Sequence, residues 1–290
     1  MHHEMRRFFA AFWLWSVSQV GLCADTQSGG AGPENQPLLD VRFTQKAPYS
    51  DATNITRHFG YTVSLPAYEV TNELFQVAVP ETYATNSGWG LLVWISPSEK
   101  PAIPADWLKE LASARLLFVS AHNSGNQRHP LDRFRLALDA TCNMCRQYRV
   151  DRERIYIAGF SGGARMASML GVAYADVFSG TICVSGVNFY SDITAAGGKY
   201  YPGTFTPDPG VLLRAKRSCR FVLLTGEHDE NRENTQRVSA SGFNHEGFRH
   251  VLYLEVPGLH HAMPSVEVFR KALEYLAGEP AKPAPVPSQP

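Results

Sequence analysis

An excess of charge of either sign is missing from this chain, and the balance limits the partners that it attracts. Lys and Arg together number 27, Asp and Glu also number 27, and the formal net charge is zero. Proteins that bind nucleic acids or anionic membrane surfaces usually carry an excess of basic residues. The composition therefore indicates no nucleic-acid partner and no attraction to an anionic membrane surface.

The chain also lacks the motifs that hold common cofactors. It contains no internal repeat, no phosphate-binding loop and no dinucleotide-binding fingerprint. His260 and His261 are adjacent, but adjacent residues rarely bind one ion together, and no Cys, His and Asp ligand set at metal-binding spacing accompanies them. We therefore expect neither a cofactor nor a metal site.

The apolar run near the N-terminus is too short to favour a membrane-spanning helix. It extends from Phe8 to Val20, is interrupted by polar residues, and falls short of the ~20 apolar residues that a span needs. Arginines precede this run at positions 6 and 7, and residues 21–24 after it form a cleavage region that contains small residues. This order of charged, apolar and small-residue segments is the layout of a secretory signal. We expect cleavage after Ala24, a secreted or periplasmic protein, and no stable membrane insertion afterwards. An uncleaved anchor or a lipid-modified Cys23 are the alternatives.

Cysteine is scarce, and removal of the signal leaves four of the five. Cys142 and Cys145 lie three residues apart in a predicted helix, so they share one face, and an oxidising compartment permits a disulfide there. Thioredoxin-like redox chemistry is disfavoured because that motif belongs at the start of a helix after a strand. Cys183 and Cys219 fall in successive predicted strands and are expected to be buried thiols, although a bond between them stays open.

The most informative feature that is present is the motif Gly159-Phe160-Ser161-Gly162-Gly163. It follows an apolar run at 154–158 and precedes a helical pattern at 164–170, which is typical of the nucleophile elbow of α/β-hydrolases. Small neighbours are needed because bulky ones clash at so sharp a turn. We predict Ser161 as the nucleophile and the backbone N–H of Gly162 as an oxyanion donor. Because G-x-S-x-G alone is a modest signal, a chance turn after a buried strand is the alternative.

Two later loops offer the partners that a nucleophilic serine needs, in the order acid and then base. The apolar run at 220–225 ends at Gly226, and Asp229 follows it, with Glu227 as a rival acid on the same loop. The run at 251–256 ends in Pro-Gly and leads to the two adjacent histidines. A loop aims only one of two adjacent side chains at the serine, and the spacing alone leaves both open.

The stretch from about Gly88 to Pro264 resembles secreted α/β-hydrolases of the polyhydroxybutyrate depolymerase and feruloyl or acetylxylan esterase type. The resemblance rests on residues 90–97, 150–163, 224–229 and 257–264. It implies an esterase with the triad Ser161, Asp229 and His261. In such enzymes the last motif usually reads Gly-His with a proline soon after, and His261 occupies the histidine position.

One segment departs from that resemblance. Many relatives carry His-Gly after the third strand, where a backbone N–H completes the oxyanion hole, whereas this chain has Ile95-Ser96-Pro97-Ser98. Pro97 has no N–H to donate, so we expect Ser96 or Ser98 to supply the second donor, or a weaker oxyanion hole. Loss of one such donor costs about a hundred- to a thousandfold in turnover in a known protease.

Periodicity places further elements and a substrate-contact loop. A polar loop at 122–126 follows a predicted strand, and we take Asn123 and Asn126 as candidate substrate-binding residues. A connection at 186–213 carries aromatic residues that either stack on substrate or pack the loop down. The other expectations are strands at 74–80, 91–95, 115–121 and 180–184 and helices at 107–114, 133–148 and 266–276.

These observations predict an α/β fold, specifically an α/β-hydrolase with a mostly parallel central sheet and helices on both faces. We expect a signal peptide at 1–24, a linker at 25–37, a catalytic domain at 38–277 and a proline-rich disordered tail at 278–290. The predicted function is a secreted serine carboxylic ester hydrolase that forms an acyl-enzyme and takes a small-molecule or polymeric ester. A serine peptidase of the same fold and a non-catalytic binding protein are the alternatives.

Overall fold

The computed structural model describes residues 38–60, 64–86, 88–194 and 200–278. Outside these ranges lie the predicted signal peptide with Cys23, the predicted linker, and the predicted proline-rich tail beyond residue 278. Among the described helices, none has both the length and the apolar character that crossing a bilayer requires.

Eight strands form one central sheet, and they are β1 (Leu39–Val41), β2 (Phe75–Ala78), β3 (Trp89–Ile95), β4 (Leu116–Ala121), β5 (Val150–Phe160), β6 (Gly180–Val184), β9 (Arg220–Gly226) and β10 (Val251–Val256). Their order across the sheet is β1-β2-β4-β3-β5-β6-β9-β10. The pairings of β1 with β2 and of β2 with β4 are antiparallel, and all the others are parallel. The short strands β7 (Ile193–Thr194) and β8 (Tyr200–Tyr201) pair separately.

Helices cover both faces of the sheet, so its central strands are buried on both sides. The helices are α1 (Ala52–Phe59), α2 (Ala105–Ser113), α3 (Pro130–Gln147), α4 (Gly162–Ala173), α5 (Pro209–Ser218), α6 (Arg232–Arg237) and α7 (Val266–Ala277). All seven residues of β3 are buried, which explains its unbroken apolar sequence. On one face Trp107 of α2 stacks on Phe269 of α7 at 3.7 Å between ring centroids. On the other face Phe134 of α3 and Leu170 of α4 join a larger apolar core.

The predicted fold class is confirmed, with differences at element ends and in the connections. The strands predicted at 180–184 and 251–256 appear with those bounds. Helix α3 begins at Pro130 rather than at 133, because the His129 side chain accepts the N–H of Leu131 and proline suits the first helical position. The predicted strand at 74–80 is shorter, since β2 ends before Pro80.

The connection predicted at 186–213 is more structured than the sequence indicates. It contains β7 and β8, and α5 begins inside it at Pro209, capped by the Asp208 carboxylate. Two of its aromatic residues pack inward, because Phe205 contacts Phe59 edge to face and the Tyr190 hydroxyl donates to Glu246. For these two residues, packing the loop down is the role that the contacts support.

The four cysteines of the described residues are free, so neither disulfide that the sequence permits is formed. Burial raises the pKa of the Cys145 thiol to about 11 and that of Cys219 to about 12. Disulfide exchange needs a thiolate, which these buried groups seldom supply at neutral pH. Cys183 and Cys219 are buried thiols, as the strand pattern predicts.

Candidate active site

Ser161 lies at the sharp turn between β5 and α4. Its backbone has φ 52° and ψ −119°, and its N–H donates to the carbonyl of Val184 at 2.8 Å. A β-carbon on Gly163 would lie 2.0 Å from the carbonyl oxygen of Ile95, so a side chain there would push α4 away from β3. Left-handed backbone at a non-glycine residue costs about 1–3 kcal/mol, and it is often found where function requires it.

Three predicted side chains meet above the carboxyl ends of the parallel strands. Ser161 follows β5, Asp229 follows β9 and His261 follows β10. The Nε2 atom of His261 lies 3.0 Å from the Oγ of Ser161, and its Nδ1 lies 3.0 Å from Oδ1 of Asp229. A proton can therefore pass from the serine to the imidazole while the carboxylate holds the ring.

The environment of Asp229 keeps it ionised. Burial raises the pKa of this carboxyl, but the Ser185 hydroxyl, the backbone N–H of Asn231 and His261 outweigh the burial, so the pKa lies below the ordinary aspartate value. The Asp229 side chain is fully buried, whereas that of His261 is 30% exposed. The carboxylate is thus shielded from solvent while the imidazole can be reached from outside.

The two rival residues point to other partners. The Glu227 carboxylate accepts the backbone N–H of Gly258 at 2.9 Å, which ties the acid loop to the loop after β10. The ring of His260 packs against that of His228 at 5.1 Å between centroids. The geometry brings Asp229 and His261 to Ser161, and it does not do so for Glu227 and His260.

The segment after β3 supplies a candidate for the second oxyanion donor. The Ser98 N–H is engaged, because it donates to the Oγ of Ser96 at 3.1 Å. Within the described ranges, the backbone N–H groups of Ser96 and Gly162 have no hydrogen-bond partner. Arg133 steadies this segment by donating to the Ser96 carbonyl at 3.2 Å. Of the two serines that the sequence leaves open, Ser96 therefore has the free donor.

The candidate substrate-binding asparagines lie on an exposed loop after β4. A β-carbon on Gly162 would lie 2.0 Å from Oδ1 of Asn126, so this side chain packs directly against the start of α4. The backbone N–H of Asn123 donates to Glu99, which joins the two loops that flank the elbow. Asn126 is thus beside the candidate oxyanion hole, and Asn123 braces the loop that carries it.

Asn231 is a central residue of this site that the sequence reasoning missed. Its N–H donates to Oδ1 of Asp229 at 2.8 Å, and its side-chain amide donates to the Ser185 carbonyl at 3.1 Å. The same side chain accepts from Arg165 at 2.8 Å and lies 3.5 Å from Nδ1 of His261. Its position two residues after the predicted acid is the one signal that the sequence offers.

No group of three or more His, Cys, Asp and Glu side chains in the described part of the chain is placed to hold a metal ion. The side chains that the site brings together are a serine hydroxyl, an imidazole and a carboxylate. Those groups fit nucleophilic attack on an acyl carbon with general-base assistance.

Comparison with known proteins supports the predicted resemblance. The sequence model of the family described as Esterase PHB depolymerase matches residues 138–213, which include the elbow. No curated protein matches the sequence. The matched family segment and the feruloyl esterase structure below agree with the resemblance inferred from the motifs.

Solved structures share the fold at low sequence identity. A mutant feruloyl esterase module from Clostridium thermocellum complexed with sinapinate is 13% identical with TM-score 0.52, and the match covers 85% of this chain and 88% of that one. The S-formylglutathione hydrolase from Staphylococcus aureus is 11% identical with TM-score 0.52, covering 84% and 97%. A putative dipeptidyl aminopeptidase IV from Bacteroides ovatus is 14% identical with TM-score 0.53, but the match covers 71% of this chain and 34% of that one. The chain has the α/β-hydrolase fold.

Proposed function

We propose that this protein is a serine carboxylic ester hydrolase that acts through an acyl-enzyme on Ser161. The observation that supports the proposal most is the continuous contact from the Ser161 hydroxyl through His261 to Asp229, with 3.0 Å at each step. The matched Esterase PHB depolymerase segment supports an ester over other acyl substrates.

In the proposed first step, the Ser161 oxygen attacks the ester carbonyl carbon while Nε2 of His261 takes the hydroxyl proton. The carbonyl oxygen becomes negative and is held by the backbone N–H groups of Gly162 and Ser96. When the tetrahedral intermediate collapses, the carbon–oxygen bond to the alcohol breaks, and the imidazolium gives its proton to the leaving oxygen. The acyl group is then bound to Ser161.

In the proposed second step, water attacks the acyl-enzyme. His261 removes a proton from the water, and the same backbone donors stabilise the second tetrahedral intermediate. Collapse releases the carboxylic acid and returns the proton to Ser161. Asp229 stays ionised throughout, holding the imidazole with Nδ1 protonated and stabilising its positive charge.

Hydrolysis of 4-nitrophenyl acetate by the purified protein tests the proposal. We expect Ser161→Ala to lower kcat by about a millionfold, as loss of the nucleophile does in a known serine hydrolase. Ser113→Ala is the matched control, because Ser113 is exposed at the end of α2, next to the amino ends of the parallel strands. Equal rates in the wild type and Ser161→Ala would refute a serine esterase on this substrate.

A peptidase is the second candidate, favoured by the shared fold of the Bacteroides ovatus structure. An aminoacyl 4-nitroanilide separates the two activities, since it carries an amide in place of the ester. We expect hydrolysis of the ester and not of the anilide. The reverse preference would establish the peptidase.

We also propose that the protein is exported by the segment at 1–24. The proposal rests on the charged, apolar and small-residue order of that segment. N-terminal sequencing of the exported protein, which we expect to begin at Asp25, tests it.

A further inference from the structure

A cavity of about 150 Å³ lies between α4, the loop after β6 and α6. Its wall combines apolar side chains with several polar ones, among them Arg165, Asn188, Tyr201 and Asn234. The size admits a small polar group with a short carbon chain, since one water molecule takes about 30 Å³ of the liquid. None of these residues belongs to the candidate triad or oxyanion hole.

Arg165 brings a positive charge to this cavity without an opposing charge. Its guanidinium donates to the Val187 carbonyl at 3.2 Å, to Oδ1 of Asn188 at 3.1 Å and to Oδ1 of Asn231 at 2.8 Å. All three acceptors are neutral, and no carboxylate of the described residues forms an ion pair with it. A guanidinium has five N–H donors, so these contacts leave donors for a ligand.

The burial of this charge makes an anionic ligand favourable. Burial lowers the pKa of Arg165, because the charged form loses hydration. A half-buried cation with neutral partners regains part of that loss when an anion binds beside it. A planar guanidinium also matches a carboxylate in two parallel hydrogen bonds.

Asn234 is a second polar residue of the wall. The residue is 6% exposed, and its Oδ1 has no hydrogen-bond partner within the described part of the chain. The wall thus adds a neutral amide side chain to the guanidinium, and no carboxylate of the described lining opposes an anion in the cavity.

Asn231 connects this cavity to the candidate triad. Its side chain joins Arg165 to the loop that holds Asp229, and it lies 3.5 Å from Nδ1 of His261. Arg165 itself is one helical turn after Ser161, and its N–H donates to the Ser161 carbonyl at 3.2 Å. Side chains on a helix lean toward its amino end, which here is the end that carries the nucleophile.

We propose that this cavity binds a carboxylate carried by the ester substrate, and that Arg165 is the residue that selects for it. The inference deepens the proposed esterase function and rests on it. The preferred substrates are then esters with a free acid group close to the scissile bond, on the acyl or on the alcohol side. Neutral esters of the same shape are poorer substrates because they leave the guanidinium charge without compensation.

Two matched pairs of esters test the selectivity. Monomethyl succinate and methyl succinamate differ on the acyl side, and 3-carboxyphenyl and 3-carbamoylphenyl acetate differ on the alcohol side. We expect kcat/KM for the acid of at least one pair to exceed that for its amide by about tenfold or more, the worth of a charge-assisted hydrogen bond. Arg165→Gln removes this ratio, whereas Arg217→Gln, which removes an exposed positive charge from α5, leaves it unchanged.

A merely structural role for Arg165 gives a different result. If the guanidinium only holds Asn231 and the acid loop, Arg165→Gln lowers kcat/KM for acid and amide by the same factor. That outcome, or the absence of any preference for the acids in the wild type, overturns the inference.

Binding to the inactive Ser161→Ala variant separates this inference from the proposed function. We expect calorimetric titration to give about tenfold tighter binding of at least one acid than of its amide, and loss of that difference in Ser161→Ala/Arg165→Gln. If the wild type hydrolyses no ester, the proposed function fails, and this binding result still decides whether the cavity takes a carboxylate. Equal affinity for acid and amide in both pairs refutes the cavity assignment.

Discussion

Asp229 carries the clearest electrostatic consequence at the scale of single residues. Its folded pKa lies below its ordinary value of 3.8, because the hydrogen bonds to its carboxylate outweigh the cost of burial. A carboxyl with a depressed folded pKa stabilises the fold above the unfolded pKa, and this contribution is lost as the pH falls through the folded pKa. The ionised carboxylate is therefore a stabilising group at neutral pH.

We predict that Asp229→Asn lowers the Tm at pH 7 and that the difference in Tm between the variant and the wild type narrows between pH 5 and pH 2. Thermal unfolding of both proteins across this range measures the difference in Tm. Because all other carboxyls titrate in both proteins, the change in the difference reports on Asp229. A difference in Tm that stays constant or widens on acidification contradicts the electrostatic account.

At the scale of single residues, the sequence indicates candidate site residues where the end of a predicted strand marks the position. Ser161, Asp229 and His261 each follow a strand of the central sheet, and the parallel pairing brings those strand ends to one edge. Spacing alone did not separate His261 from His260, because the direction of a loop side chain depends on backbone turns that the sequence does not specify. Asn231 was missed for a related reason, since its partners come from distant segments.

At the scale of elements, the close packing of α4 on β3 is the feature on which the site depends. Gly163 faces the carbonyl of Ile95, the last residue of β3, and the residue that follows this strand is Ser96, the candidate oxyanion donor. A displacement here moves the nucleophile and the donor relative to each other. The geometry of the candidate site therefore depends on the absence of a side chain at 163.

We predict that Gly163→Ala destabilises the protein by about 1–3 kcal/mol, because overpacking forces the backbone to shift. Thermal unfolding measures this loss, and ester hydrolysis falls with it. Gly88→Ala is the control, because a β-carbon there meets only Oδ2 of Asp151 at 3.8 Å. Unchanged stability and activity in Gly163→Ala would show that the helix tolerates the side chain.

The sequence predicts elements well where burial on both faces makes a strand mostly apolar, as in β6. Short elements were missed for lack of periodicity. Helix α1 has eight residues, and Ile55 and Phe59 are its buried apolar side chains, which is too few for a helical pattern. The start of α5 was absorbed into a loop, because its Asp-Pro-Gly sequence is typical of turns as well as of caps.

At the scale of the whole molecule, the site lies at the carboxyl edge of the parallel strands. Segments after β3, β4, β5, β6, β9 and β10 contribute to it, as the chemistry of open α/β sheets requires. The fold class followed from the elbow and the strand pattern. The cavity beside Arg165 could not be predicted, since its wall combines residues from α4, α6 and the long connection after β6.

Labelling by a fluorophosphonate tests the central claim most directly, because this probe reacts with an activated serine and requires no knowledge of the substrate. Peptide mass spectrometry then locates the label. We predict labelling of Ser161 that is lost in His261→Ala and retained in His260→Ala. An absence of labelling, a label on another serine, or loss of label in His260→Ala alone contradicts the assignment of Ser161, His261 and Asp229 as a catalytic triad.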